Sequence, residues 1–174
     1  QSSSRGLGDV YKRQTQPMRS GFEIPESIKF YNELLQEAGY FTSNCSKTDY
    51  NLRGSNGRNP KTYWNYSGKD YADTWKKRKK DQPFFTVYNI GESHESRAFG
   101  DHNDESIDPQ KMILAPYHPD LPEMRNTYAK YSSAISKMDS LVGKAIENLK
   151  NDNLYDDTII VYSSDHGGVL ARSK

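Results

Sequence analysis

Asp165-His166-Gly167-Gly168 is the run of side chains best suited to chemistry in this 174-residue sequence. A carboxylate offers hard oxygen to a divalent cation, imidazole adds a nitrogen, and the glycines permit a tight turn with close backbone approach. An Asp after an apolar run is equally a helix cap, so the tetrapeptide alone leaves both readings open. Two other polar groups stand in the same relation to an apolar stretch. Lys47 and Asp49 follow Tyr40–Cys45, and Glu92 and His94 follow Pro83–Ile90. A lysine so placed is more often a solvated side chain than an oxyanion ligand. His94 taken alone reads as a satisfied loop histidine. Ligands of open α/β sheets bind beyond the carboxyl ends of the strands, so three such groups together carry the expectation of a catalytic pocket. Cys45 is the only cysteine, which excludes an intrachain disulfide and a cysteine-based zinc site. With no base beside it in sequence, it reads as a buried, inert residue at a strand end.

The elements that must position these groups follow an α/β rhythm. Ile24-Pro25-Glu26-Ser27 reads as a helix start with Pro in the first turn, and Ile28, Tyr31, Leu34, Leu35 and Ala38 recur at helical spacing up to the stop at Gly39. Tyr40–Cys45 reads as a short strand, and Asn51–Ser67, rich in Asn, Gly, Arg and Tyr, as a loop. A short helix is expected over Tyr71–Lys80, with Tyr71 and Trp75 on one face. It ends in the cations Lys76-Lys77-Arg78-Lys79-Lys80. A solvated helix end, where cations suit the dipole, is favoured over a polyanion site, because no aromatic interleaving or wider basic excess accompanies the run.

Pro83–Ile90 has the apolar, β-branched character of a parallel strand buried on both faces. Gly91–Pro119 is a long polar segment holding His94, His102 and His118, and loops of that length are often functional. The strongest helix begins near Pro122 with Asp120 as N-cap. It runs through Tyr128, Tyr131, Ile135, Met138, Val142, Ala145 and Leu149 to Asn151-Asp152-Asn153. Thr158–Tyr162 reads as a second buried strand delivering Asp165 and His166. No internal repeat of fixed period occurs.

Composition narrows the function classes. Lys plus Arg is 24 against 23 Asp plus Glu, a net charge of +1, which argues against a dedicated nucleic-acid binder or a polybasic membrane anchor. No stretch approaches the ~18 apolar residues of a membrane span. Residues 1–14 contain no apolar signal region and no amphipathic period, and read as a non-native or disordered segment. The apolar share is 33 % and the mean hydropathy −0.99, with 13 tyrosines. Globular domains run to about 45–50 % apolar, so the chain is either rich in loops or part of a larger protein that shares its core.

From about Met18 to Lys174 the chain resembles the sulfatases of the alkaline phosphatase superfamily, most of all heparan N-sulfatase-like (N-sulfoglucosamine sulfohydrolase-like) bacterial members. The residues that carry the resemblance are Glu37-Ala38-Gly39-Tyr40 with Lys47-Thr48-Asp49-Tyr50, Pro83-Phe84-Phe85 through His94, and the helix with Tyr131, Ile135, Asp139 and Gly143 that leads through Asn153–Thr158 into Ile159–Gly167. The implied fold is α/β, a fragment of an alkaline phosphatase-like mixed, mostly parallel sheet with helices on both faces, with residues 15–174 as a partial catalytic domain. The implied reaction is hydrolysis of a sulfuric ester or sulfamate, on a sulfated saccharide. In it a cysteine-derived formylglycine attacks sulfur, while Ca²⁺, with Mg²⁺ as the alternative, polarises the sulfate oxygens.

By resemblance Asp165 and His166 are metal ligands, Lys47 and Lys174 neutralise the sulfate oxygens, and His94 binds sulfate or protonates the leaving atom. Arg172 competes with Lys174 for its role. Asp49 stands where many members carry histidine, facing substrate with different acid–base behaviour or orienting a neighbour. The Cys/Ser-x-Pro-x-Arg nucleophile motif is absent, and Cys45-Ser46-Lys47 does not match it. The expectation is therefore an internal fragment, inactive as written, of a periplasmic or extracellular enzyme of undefined oligomeric state, with no nucleic-acid partner. Alternatives from the same residues are a phosphodiesterase or phosphonate hydrolase of the superfamily, a non-catalytic binding protein with this fold, and a DNA-facing protein built on Lys76–Lys80.

Overall fold

The computed structural model describes residues 27–45, 47, 63–69, 74–95, 107–164, 167–168 and 170. The chain divides into two compact units, one of residues 11–89 and one of residues 1–10 with 90–174.

The first unit is built on a parallel sheet of three strands, β1 (Phe41–Cys45), β2 (Tyr66–Gly68) and β3 (Phe84–Tyr88), in the order β2-β1-β3. The pairing sets Ser43 opposite Tyr66, Cys45 opposite Gly68, and Phe41 to Cys45 opposite Phe84 to Tyr88. A central parallel strand is ordinarily apolar. Here every residue of β1 is buried although Thr42, Ser43 and Asn44 are polar. Each of the three is hydrogen-bonded. Gln36 Nε2 donates to Thr42 Oγ1 at 2.6 Å, and Thr42 N donates to Asn65 Oδ1 at 2.8 Å. Ser43 Oγ lies 2.8 Å from Thr86 Oγ1, and Asn44 Nδ2 donates to Lys47 O at 2.6 Å. Left unpaired, each group would cost about 1–3 kcal/mol.

Alternation along β3 sends its aromatic side chains to opposite faces. Phe85 packs with Tyr31 (ring centroids 5.6 Å apart) and Trp64 (6.3 Å), while Phe84 and Tyr88 lie 5.6 and 6.1 Å from Trp75. Helix α1 (Tyr31–Glu37) supplies the first face, and the turns of residues 74–80 supply the second.

Helix α1 is shorter than its periodicity predicts. Phe30 is its N-cap, and Glu33 reaches back to accept the Phe30 N–H at 2.7 Å, which sets the start after the expected one at Ile24–Ser27. Its inward side is also not the expected apolar one. Asn32 is buried and donates to Tyr63 O, joined by Gln36 at 2.8 Å, whereas Ile28, Tyr31 and Leu34 are each about half exposed. The stop at Gly39 is as expected, with φ of +91°. Two local expectations are corrected. Residues 66 and 67, read as the end of a loop, form β2 with Gly68, because the open edge of β1 supplies ladder partners that propensity does not register. Residues 74–80, read as part of a helix, form successive turns, with Trp75 fixed against the sheet at 1 % exposure.

The second unit is dominated by α2 (Pro122–Asn151), 30 residues and about 45 Å long. Its N-cap is Leu121 rather than Asp120, and no side chain caps it. Asp120 instead takes both Nε and Nη2 of Arg125, at 2.5 and 2.7 Å, from one position further out. The other terminal nitrogen of Arg125 donates to the carbonyls of Gln110 and Met112, both at 3.0 Å, so one guanidinium ties the single 3₁₀ turn Pro109–Lys111 to the helix start. Tyr128 Oη accepts the Ala115 N–H at 3.1 Å and lies 2.7 Å from His118 Nδ1. Of the expected stripe on α2 only Leu149 is fully buried, and Ala129, Ser133 and Ala134 complete the buried set. The helix ends at Asp152, and Asn153 (φ +54°) turns the chain out.

The expected strand Thr158–Tyr162 is the clearest correction. Residues 158–164 form no strand, and Ile159, Val161 and Tyr162 are 92, 82 and 67 % exposed. Apolar β-branched residues favour extended backbone, but a strand exists only where a second strand supplies its hydrogen bonds, and no described residue does so for this segment. The α/β class with a parallel sheet is as the sequence indicates.

Candidate functional site

In the first unit the carboxyl ends of β1, β2 and β3 lie along one edge, because the strands are parallel and Cys45 pairs with both Gly68 and Tyr88. Lys47 stands two residues beyond β1, exposed on that edge. Its backbone is not left to the loop. Asn44, 1 % exposed, donates from Nδ2 to Lys47 O at 2.6 Å and accepts from Asn89 Nδ2 at 2.6 Å. Asn89 also donates to Cys45 O at 3.2 Å. One amide thus joins the exits of two neighbouring strands and fixes the point from which the Lys47 side chain departs. Neither Asn44 nor Asn89 was among the candidates that sequence reading selects. The available signal was an Asn in the middle of a run that must be buried, and another directly after the apolar run Phe84–Tyr88.

Cys45 is fully buried in β1, as expected of an inert cysteine. In the second unit, His94 is exposed in the turn after β3, with its backbone N–H donated to Gly91 O at 3.1 Å. His118, from the same polar segment, is engaged at Nδ1 by Tyr128 and stacks edge-on against Tyr117 and Tyr128 at 4.7 and 5.7 Å. Of the two described histidines, His118 is held by neighbouring side chains in a structural contact.

Asp49, Asp165, His166, Arg172 and Lys174 lie outside the described residues, as does His102. Among the described residues no group of three or more His, Cys, Asp or Glu is placed to hold a metal ion. No helix among them is long and apolar enough to cross a membrane. A shallow polar depression lined by Gln110, Asp120, Pro122 and Arg125 opens at the start of α2. Its cation is already committed, since Arg125 is held by Asp120 and two carbonyls. That pair shifts both partners: hydrogen bonds from Arg125 hold the Asp120 carboxyl below its usual range, and Asp120 raises Arg125.

An exposed lysine anchored at the carboxyl end of a central parallel strand is suited to an anionic ligand and is not diagnostic of one reaction. Comparison with known proteins decides the family. The sulfatase family pattern matches residues 8–174. The chain belongs to the sulfatase family. It is similar to an ulvan-active sulfatase of Formosa agariphila, 30 % identical over 186 residues that cover 86 % of this chain and 30 % of the relative. This sulfatase-family chain thus spans about a third of the length of that relative. No solved structure matches it.

Proposed function

We propose that the chain is part of the catalytic domain of a sulfuric ester hydrolase that removes sulfate from an anionic saccharide outside the cytoplasm. The match of the sulfatase pattern to residues 8–174 carries this reading. A saccharide substrate is supported by the relative, whose name describes it as active on ulvan, and by the resemblance to the heparan N-sulfatase-like group. That second resemblance keeps S–N cleavage of a sulfamate beside S–O cleavage of an ester.

Each residue then has a stated task. Lys47, held by the Asn44–Asn89 bridge, binds a sulfate oxygen and offsets the negative charge that builds there as the bond to sulfur breaks. Lys174 does the same from the other end of the sequence, with Arg172 beside it. His94 binds sulfate or delivers a proton to the departing atom. Asp49 faces the substrate beside Lys47. Asp165 and His166 contribute a hard oxygen and a nitrogen to a Ca²⁺ or Mg²⁺ site, and the ion when bound polarises the sulfate oxygens. Calcium takes six to eight ligands, so these two donors are part of its shell. The formylglycine role falls to a cysteine other than Cys45, which is buried and outside the required motif.

The test uses the full-length protein with sulfated polysaccharides and reads free sulfate. Lys47→Ala is expected to lower kcat by about 100-fold or more, the usual effect of removing one donor to a developing anion. Turnover equal to wild type would take Lys47 out of the site. Hydrolysis of a phosphodiester to a phosphomonoester and an alcohol, with no sulfate released from any ester, would overturn the sulfatase activity itself.

A further inference from the structure

The cationic run Lys76–Lys80 has a plain explanation only if a helix ends there, and residues 74–80 are turns. Its members are also not equivalent. Lys77 Nζ sits 4.2 Å from the centroid of the Tyr66 ring, a cation–π contact that keeps the ammonium in place. Tyr66 begins β2, and its ring lies along the strand toward the carboxyl end. Its hydroxyl is 2.5 Å from the point where a side chain at Gly68 would begin, so the ring can lie there only because residue 68 is glycine. Lys77 is thereby carried to the carboxyl half of β2.

Lys69 stands one residue beyond Gly68, whose ladder partner is Cys45, two residues before Lys47. Lys47 and Lys69 therefore leave neighbouring strands at the same edge, with strand axes about 4.8 Å apart. All three lysines are exposed, and none forms an ion pair among the described residues. Lys29 and Arg125, by contrast, are paired with Glu37 and Asp120. Lys47 and Lys69 leave the same edge of the sheet and Lys77 lies over the Tyr66 ring of the neighbouring strand, and exposed cations so placed attract an anion with more than one charged group.

We infer that Lys69 and Lys77 form a second anion subsite beside Lys47. It takes a carboxylate or a further sulfate of the saccharide, next to the sulfate that is removed. This deepens the sulfatase reading and rests on it.

The test compares two substrates of the full-length enzyme, a monosulfated aryl ester with one anionic group and disaccharides that carry a second one. One disaccharide bears a second sulfate and another a uronate carboxylate, which separates the two sources of the second charge. The double variant Lys69→Gln/Lys77→Gln is expected to raise KM for at least one disaccharide by about tenfold, with kcat and the aryl ester kinetics unchanged. Lys79→Gln/Lys80→Gln, which removes two charges from the same run, is expected to leave both substrates unaffected. An equal effect on aryl ester and disaccharides, or none on either disaccharide, overturns the subsite. Calorimetric titration of the disaccharides reads the same subsite without turnover, so an enzyme that binds them through Lys69 and Lys77 but releases no sulfate sinks the hydrolase reading alone. Binding that is identical in wild type and double variant sinks the subsite alone.

Discussion

Asp120 and Arg125 show how one side chain's role is set by a shift of a single position. An Asp at the N-cap would accept backbone N–H groups of α2. One residue earlier, Asp120 meets the Arg125 guanidinium in a two-pronged contact instead. Its carboxyl is held below the ordinary value of 3.8, with the Arg125 hydrogen bonds as the largest cause. A lowered folded-state value means that the contribution to stability is present above the ordinary value and fades as pH falls through the lowered one. Asp120→Asn is therefore expected to lower the melting temperature slightly at pH 7, because the pair is solvent-screened. Melts of the two proteins should converge as pH falls through the lowered value, below which both carry a neutral group at this position. A constant difference from pH 7 to the acid limit would show that the pair does not act through the charge. The Asn44 amide is the other residue whose role depends on position. It is buried, and its bond to Lys47 O links the fold to the proposed chemistry.

At the scale of elements, the stops are legible and the partners are not. Gly39 ends α1 at φ +91°, a left-handed backbone that costs an L side chain about 1–2 kcal/mol, and no atom stands within 4 Å of a side chain added there. Gly39→Ala is accordingly expected to destabilise the protein by about that amount in denaturant unfolding through backbone strain alone. A neutral result would show that the turn after α1 readjusts. The inward face of α1 is a different matter. A periodicity argument selects Tyr31 and Leu34 for the core, yet Asn32 and Gln36 point inward because Tyr63 O and Thr42 Oγ1 wait there as partners. Polar burial of this kind leaves no trace in an apolar pattern. Likewise β2 exists because β1 has an open edge, and the turns of residues 74–80 exist because Trp75 is pinned between Phe84 and Tyr88.

The apolar residues of the whole molecule are unevenly used. The first unit covers both faces of its sheet with aromatic side chains, whereas Ile159, Ile160, Val161 and Tyr162 stand 92, 46, 82 and 67 % exposed in one consecutive run. Four adjacent exposed apolar residues with no strand partner among the described residues are a template for association. The 174-residue chain is expected to self-associate, with an apparent mass in sedimentation that rises with concentration, and Ile159→Ser/Val161→Ser is expected to suppress the rise. A monomer at all concentrations, or an undiminished rise in the variant, would remove this segment as the cause.

The sequence by itself determined the α/β class, the strands around Thr42 and Thr86, the long helix after Pro122, the stop at Gly39 and the burial of Cys45. These rest on local period and backbone sterics, which a chain carries wherever it is placed. The resemblance to sulfatases, which the family match over residues 8–174 bears out, was likewise legible in the sequence. Only the tertiary structure decided that polar residues face the core on α1 and β1, that residues 66–68 join the sheet, and that residues 159–162 form no strand. It likewise decided that Lys69 leaves the sheet beside Lys47 and that Lys77 lies over the Tyr66 ring. Each of these depends on a partner distant in sequence, and hydrogen bonds and charges between distant residues are fixed by register and packing rather than by neighbours along the chain.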